Sequence, residues 1–156
     1  MIERGYTVVE VVVVVTIVTI LAAIAIAADP LLLNRSRDIE RQNDIASIGR
    51  AFEDYYRLNA STSGPGYPTT SDISSSLDSI AATYGKDIFI APKQSSYSLV
   101  NASSTSPATA TQNTYIYQPF TATGTLCSTA PCVRYRLYYY SEATGSTMVR
   151  ESMRQQ

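Results

Sequence analysis

Residues 1–30 read MIERGYTVVEVVVVVTIVTILAAIAIAADP, and Glu10 is the single charge between residues 6 and 28. Those 23 residues make a helix of roughly 35 Å at 1.5 Å rise, long enough to cross the hydrocarbon of a bilayer. Fifteen of them are Val, Ile or Thr, which favour strand in water. In hydrocarbon every backbone group must be satisfied within the segment, and that selects helix over propensity. Thirteen Val, Ile and Leu side chains, at roughly −0.4 kcal/mol each, give about −5 kcal/mol of insertion free energy, against at most about +3 kcal/mol for one acidic group near the end. Insertion wins, but a carboxylate inside a span needs a partner. No Lys or Arg lies in the run, so the partner is expected from outside this helix.

Two ordinary readings of the run compete. A secretory signal would have a positive n-region, a shorter apolar stretch and a small-residue cleavage site, for which residues 25–28 could serve. Against it, MIER has balanced side chains and Glu10 would fall inside the apolar region. A plain membrane anchor explains the length and leaves Glu10 unexplained.

The third reading rests on a motif: Gly5, then YTVVE with an aromatic Tyr6 and Glu10 at the fifth position after the glycine, then a long aliphatic run containing ILAAIAI. This segment resembles the N-terminus of type IV prepilins and pseudopilins. The resemblance implies that a prepilin peptidase cuts between Gly5 and Tyr6 and methylates the new amine of Tyr6. It also implies that Glu10 pairs with the N-terminal amine of a neighbouring subunit during assembly. The desolvation cost of two ions then acts as a registry device, because only a correctly stepped neighbour satisfies both. Two departures stand out. Many members carry Gly just before ILAAIAI and Pro directly after it, whereas here Thr19 precedes it and Pro30 follows three residues later. Any loss of helicity is therefore expected nearer Asp29 and Pro30, or weaker.

From residue 31 to 58 the periodicity changes. Ile45, Ile48, Phe52, Tyr55 and Tyr56 recur at helical spacing, with Ile39 one or two turns before, and Arg37, Arg41, Asp44, Arg50, Glu53, Asp54 and Arg57 fall largely on other faces. Arg50 with Asp54, and Glu53 with Arg57, are spaced for i,i+4 pairs. The charges fit either a solvated face or a contact between subunits that sets register more than affinity. The stretch RDIERQNDIASIGRAFEDYYRLNA, with Pro68 soon after, also resembles the exposed half of the helix in small bacterial pilins, carrying the resemblance to about residue 70.

STSGPGYPTTS (61–71) reads as a loop, and residues 72–84 as a short helix capped by Ser71 or Asp72, with Ile73, Leu77 and Ile80 inward. NASSTSPATATQN (101–113) reads as an exposed loop unable to bury apolar area. Asn59 and Asn101 begin N-x-[ST] sequons, which are glycan acceptors in some settings. TYIYQPF, CVRYRLYYYS and STMVRES read as strands of a short antiparallel sheet, with residues 142–145 as a turn between the last two. Alternation puts Val133, Tyr135, Leu137 and Tyr139 on the helix-facing side and Arg134, Arg136, Tyr138 and Tyr140 on the other. Arg beside Tyr on an exposed face can hold phosphates and stack the bases of single-stranded DNA. The plainer reading, which the sequence favours, is Tyr for cross-strand packing and Arg for solubility.

Cys127 and Cys132, the two cysteines, have no His near them because the chain has none, so a zinc site is not expected. One short-loop disulfide, and with it an oxidising, extracytoplasmic setting, fits better than two unpaired buried thiols. Charged residues are 16% and net charge is −1, which gives no support for bulk nucleic-acid binding. Some pseudopilins bind calcium in a C-terminal loop; acids after Asp87 are limited to Glu142 and Glu151, so no metal site is expected. There is no nucleophile with a base and no phosphate loop, so no catalysis and no cofactor are expected.

The resulting expectation is an α+β chain. A leader (1–5) precedes an apolar helix (6–30), an amphipathic helix (31–59) and a globular head (60–156) with a short antiparallel sheet. The resemblance implies a type IV pilus subunit that polymerises into an extracellular filament for adhesion, twitching or DNA uptake. Its partners would be its own copies, a prepilin peptidase, an assembly platform and, before assembly, the cytoplasmic membrane. A type II secretion pseudopilin or minor pilin shares every N-terminal feature. A singly anchored surface-binding module is the reading from a different class.

Overall fold

The computed structural model describes residues 6–58 and 65–154. The leader with Gly5, the Asn59 sequon and residues 61–64 of the loop lie outside them. The first element, α1 (Val8–Leu58), is one helix of 51 residues, about 77 Å long at 1.5 Å per residue. It stays helical across Asp29 and Pro30, so the loss of helicity expected there does not occur. Proline removes one N–H donor from the ladder, and the helix tolerates that single loss. Within the apolar half, Thr16 Oγ1 donates to the Val12 carbonyl and Thr19 Oγ1 to the Val15 carbonyl, both at 2.7 Å. These bonds satisfy the hydroxyls inside the helix itself.

The head follows: α2 (Thr70–Tyr84), a 3-10 turn (Asp87–Phe89), β1 (Leu99–Asn101), β2 (Tyr115–Phe120), β3 (Arg134–Ser141) and β4 (Ser146–Glu151). The sheet order is β1-β2-β3-β4, with β2–β3 and β3–β4 antiparallel. The three strands expected from the sequence are thus antiparallel, and a further short strand, β1, runs parallel to β2 and makes the sheet mixed. Three residues are too few to show a period. α2 starts two residues earlier than expected, because Thr69 and Asp72 form a reciprocal capping box.

The second half of α1 lies against the sheet through Ile45, Ile48, Phe52 and Tyr56, all buried. Phe52 meets Tyr117 and Tyr135 edge-on at centroid distances of 4.8 and 5.6 Å, and Tyr67 meets Tyr135 at 4.7 Å. Four phenols around this contact find acceptors: Tyr67 donates to Glu53, Tyr115 to Asp44, Tyr117 to the Pro68 carbonyl and Tyr135 to the Gly49 carbonyl. A side chain at Gly49 would meet Arg150 Nε at 3.1 Å and Tyr135 Oη at 3.4 Å, so glycine is what lets the sheet come this close.

Cys127 and Cys132 form a disulfide, fully buried. Around it the Tyr67 N–H donates to the Cys132 carbonyl at 2.8 Å and the Thr70 N–H to the Cys127 carbonyl at 3.1 Å, tying the start of α2 to the loop before β3. The 101–113 segment is exposed over residues 103–107, as its composition implied, but Ala102 and Ala110 are buried. The segment is tied at both ends, the Ala102 N–H donating to the Tyr117 carbonyl at 2.8 Å and the Ala110 N–H to Thr147 Oγ1 at 3.0 Å, and in its middle by fully buried Gln118, whose amide donates to the Ser104 and Ser106 carbonyls at 2.7 Å each.

Candidate assembly interface

Every described side chain from Tyr6 to Ile26 is exposed, and Val8–Ile26 is long and apolar enough to cross a membrane. The Thr7 hydroxyl accepts from the Glu10 N–H at 3.3 Å and opens the helix. Glu10 stands in the first turn of α1, where the positive end of the helix dipole favours a carboxylate. Tyr6, Glu10 and Val14 follow one another at i,i+4 spacing and with Val11 and Val15 line a shallow groove of about 270 Å³. Tyr6 and Glu10 therefore share one face. Among the described residues the next cation along the helix is Arg35, 25 residues on, or about 37 Å away. An ion pair for Glu10 must come from beyond this helix.

At the junction of stem and head the structure brings together four charges. Asp38 accepts from the Ser141 hydroxyl (2.8 Å), the Glu142 and Ala143 N–H groups (2.8 and 2.9 Å) and Arg41 (3.2 Å). Glu142 accepts from Arg37 Nε at 2.9 Å and Arg41 Nη2 at 2.7 Å. Arg41 is 1% exposed, which corrects its expected place on an outer face. Burial pushes the Asp38 carboxyl up, but the N–H bonds from Ala143 and Glu142, with Ser141 and Arg41, outweigh it and hold the group below its usual range. The Arg37 bond, against burial and with help from Arg41, holds Glu142 down at about 2. A signal for this cluster existed: residues 38, 41, 45, 48 and 52 form one stripe at spacings of three and four, so Asp38 and Arg41 continue the face of Ile45, Ile48 and Phe52. Ile39, assigned to that face from the sequence, is instead exposed at 58%.

The two helical pairs read from spacing do not form. Glu53 turns to the Tyr67 hydroxyl and to Arg154, Arg50 donates to Ser47, and Arg57 pairs with Asp54 one turn back at i,i+3. Asp44 is pushed up to about 6, chiefly by burial, with the Tyr115 hydroxyl opposing.

On β3, Tyr135, Leu137 and Tyr139 are buried toward α1 as the alternation required. The other set does not make one open Arg/Tyr face. Tyr138 is only 4% exposed and donates to Gln118 Oε1 at 2.8 Å. Arg136 bonds Glu151 at 2.9 Å. Arg134 is exposed and Tyr140 half-buried. The physical reason is the 102–110 segment, which Gln118 clamps beside Tyr138. Among the described residues no group of three or more acidic or cysteine side chains gathers to hold a metal ion. Set against family models, curated proteins and solved structures, the chain matches none of them.

Proposed function

We propose that this chain is a type IV pilin-like subunit, held in a membrane by Val8–Ile26 and then polymerised through that segment into an extracellular filament. The observation that supports it most is a wholly exposed apolar half-helix whose single carboxylate, Glu10, stands five residues after a glycine. An apolar surface of that extent requires cover. Lipid supplies it before assembly, and the same half-helices of neighbouring copies supply it afterwards. Because lipid and aliphatic side chains are equally apolar, the exchange is nearly neutral for the Val and Ile residues. The charge pair decides the step: Glu10 meets the Tyr6 amine of an adjacent copy, and a misplaced copy leaves both ions unpaired at several kcal/mol each. The leader ending at Gly5 is the peptidase substrate that frees this amine, and the assembly platform lifts the subunit from the bilayer.

Mass spectrometry of the N-terminal peptide from protein sheared off the cell surface tests this. A peptide beginning at N-methylated Tyr6 is expected. Intact Met1 in surface protein would mean an ordinary anchor, and a start near Asp29 a cleaved secretory signal; either ends the filament reading. Long fibres made mainly of this chain would separate a major pilin from a minor pilin or a secretion pseudopilin, which share the N-terminal features.

A further inference from the structure

A groove of about 370 Å³ opens at the start of β3, lined by Thr105, Phe120, Gly124, Arg134, Arg136 and Glu151 among others. Its volume is at the lower end of small-molecule sites, roughly 300–1,000 Å³. Phe120 forms a floor over which two guanidinium groups lie, Arg134 Cζ at 5.7 Å and Arg136 Cζ at 5.5 Å from the ring centroid. Arg136 is committed, with its Nε on Glu151. Arg134 has no hydrogen bond or ion pair with any described residue, and neither does the Thr105 hydroxyl. Gly124 makes room for Arg134: its φ is +84°, and a Cβ there would stand 3.3 Å from Arg134 Nη2. The lining thus carries two positive groups and one negative group, and the uncompensated charge is the Arg134 guanidinium over the Phe120 ring.

That arrangement selects among ligands. A guanidinium fork matches a carboxylate in two parallel bonds. One surplus charge in a concavity attracts a monoanion, while Glu151 close by repels a second negative charge and so disfavours a nucleic-acid backbone. Apart from Phe120, Tyr135 and Gly124 the lining residues carry polar side chains, so the remainder of the ligand is hydroxylated. We infer that this groove binds a uronic-acid unit of a saccharide, its carboxylate on Arg134 and a ring hydroxyl at Thr105. The inference stands apart from the filament reading, because no stem residue takes part.

The test is a ligand-observed NMR titration of the whole chain in detergent micelles with trigalacturonate, its neutral methyl ester and inorganic phosphate. Trigalacturonate should bind saturably and the ester at least about tenfold more weakly, the worth of one charge-assisted pair. Arg134→Gln should cost trigalacturonate about the same tenfold, and Thr105→Val about threefold. Lys93→Gln, a surface cation outside the groove, should change nothing. Equal binding of the ester, an unchanged Kd in Arg134→Gln, phosphate binding as tight as the uronate, or no saturable binding each overturns the assignment. If Arg134→Gln fails to melt cooperatively, the ester comparison and Thr105→Val carry the test. A Glu10→Ala chain should bind trigalacturonate normally, which keeps failure of this site distinct from failure of the filament reading.

Discussion

Between Val8 and Ile26, α1 buries none of its side chains, whereas between residues 38 and 56 the same helix buries Asp38, Arg41, Ile45, Ile48, Ala51, Phe52 and Tyr56. The first half is apolar on every face beyond Glu10 and finds no cover among the described residues. The second is apolar on one stripe and finds a sheet of the matching shape. One helix thus contains a segment whose environment must be supplied by other molecules and a segment whose environment the chain builds for itself. On the filament reading proposed above, changes in the stem should therefore alter assembly and leave folding alone; changes in the junction and head should do the reverse.

The sharpest break of that contrast is Glu10→Ala. Membrane insertion and the melting of the head should be unchanged, while the sheared surface fraction, quantified by immunoblot, should fall on the order of a hundredfold, because the neighbour's amine is left unpaired. Filaments in normal yield would remove Glu10 from the assembly step. On the other side of the comparison, Arg41→Ala removes the cation that Asp38 and Glu142 share, leaving Asp38 without a cation and Glu142 with Arg37 alone. Urea unfolding of the detergent-solubilised chain should show a loss of about 3–5 kcal/mol. A loss under about 1 kcal/mol would mean that water enters the junction and the pair is effectively solvated.

The pH dependence should show two opposite slopes. Glu142 is held at about 2, so it binds fewer protons folded than unfolded; its stabilisation is present above the ordinary carboxylate range and is lost as pH falls from about 5 towards 2. Asp44 sits at about 6 and binds more protons folded, so its contribution strengthens as pH falls from about 6 to 4. Thermal melts of Glu142→Gln should flatten the acid limb, and those of Asp44→Asn the limb between pH 4 and 6. A profile in which Asp44→Asn leaves that upper limb intact would mean Asp44 is solvated.

Smaller effects complete the series. The double substitution Cys127→Ser, Cys132→Ser opens a short loop and should cost about 2 kcal/mol, read by the same urea titration in the oxidised state. Since the disulfide also underlies the Tyr67 and Thr70 backbone bonds, a cost near zero would mean that those bonds hold the loop unaided. Arg57→Ala, on a pair whose arginine side chain is 66% exposed, should cost about 0.5 kcal/mol or less. A larger loss would mean that the exposed face of α1 is covered by something outside the head.

Much of this fold was legible in particular residues. The run at 8–26 announced a helix by length and apolarity, Ile45, Ile48 and Phe52 announced a packed stripe, and VRYRLYY gave the correct inward set on β3. The N-cap of α2 is Thr69, two or three residues before the Ser71 or Asp72 that the sequence reading offers. The junction was less legible: Asp38 and Arg41 lie on the buried stripe, but charged residues at helical spacing look alike whether their neighbours are water or a carboxylate more than a hundred residues away. Glu142 supplied that carboxylate from a turn, where nothing local distinguishes it. Likewise nothing local distinguishes Gln118 within its strand, and its two carbonyl partners come from a loop that composition marks only as exposed.

The sequence by itself determined the apolar half-helix with its lone Glu10, the amphipathic second half and the strand alternation, because these depend on periodicity and composition along neighbouring residues. Tertiary structure alone decided that Arg41 is buried between two acids, that Tyr138 is covered while Arg134 stays unpaired over Phe120, and that β1 joins the sheet in parallel. Each of these depends on which distant groups arrive next to one another. Burial of a charge or exposure of an aromatic ring is a property of the finished packing, and no local pattern encodes it.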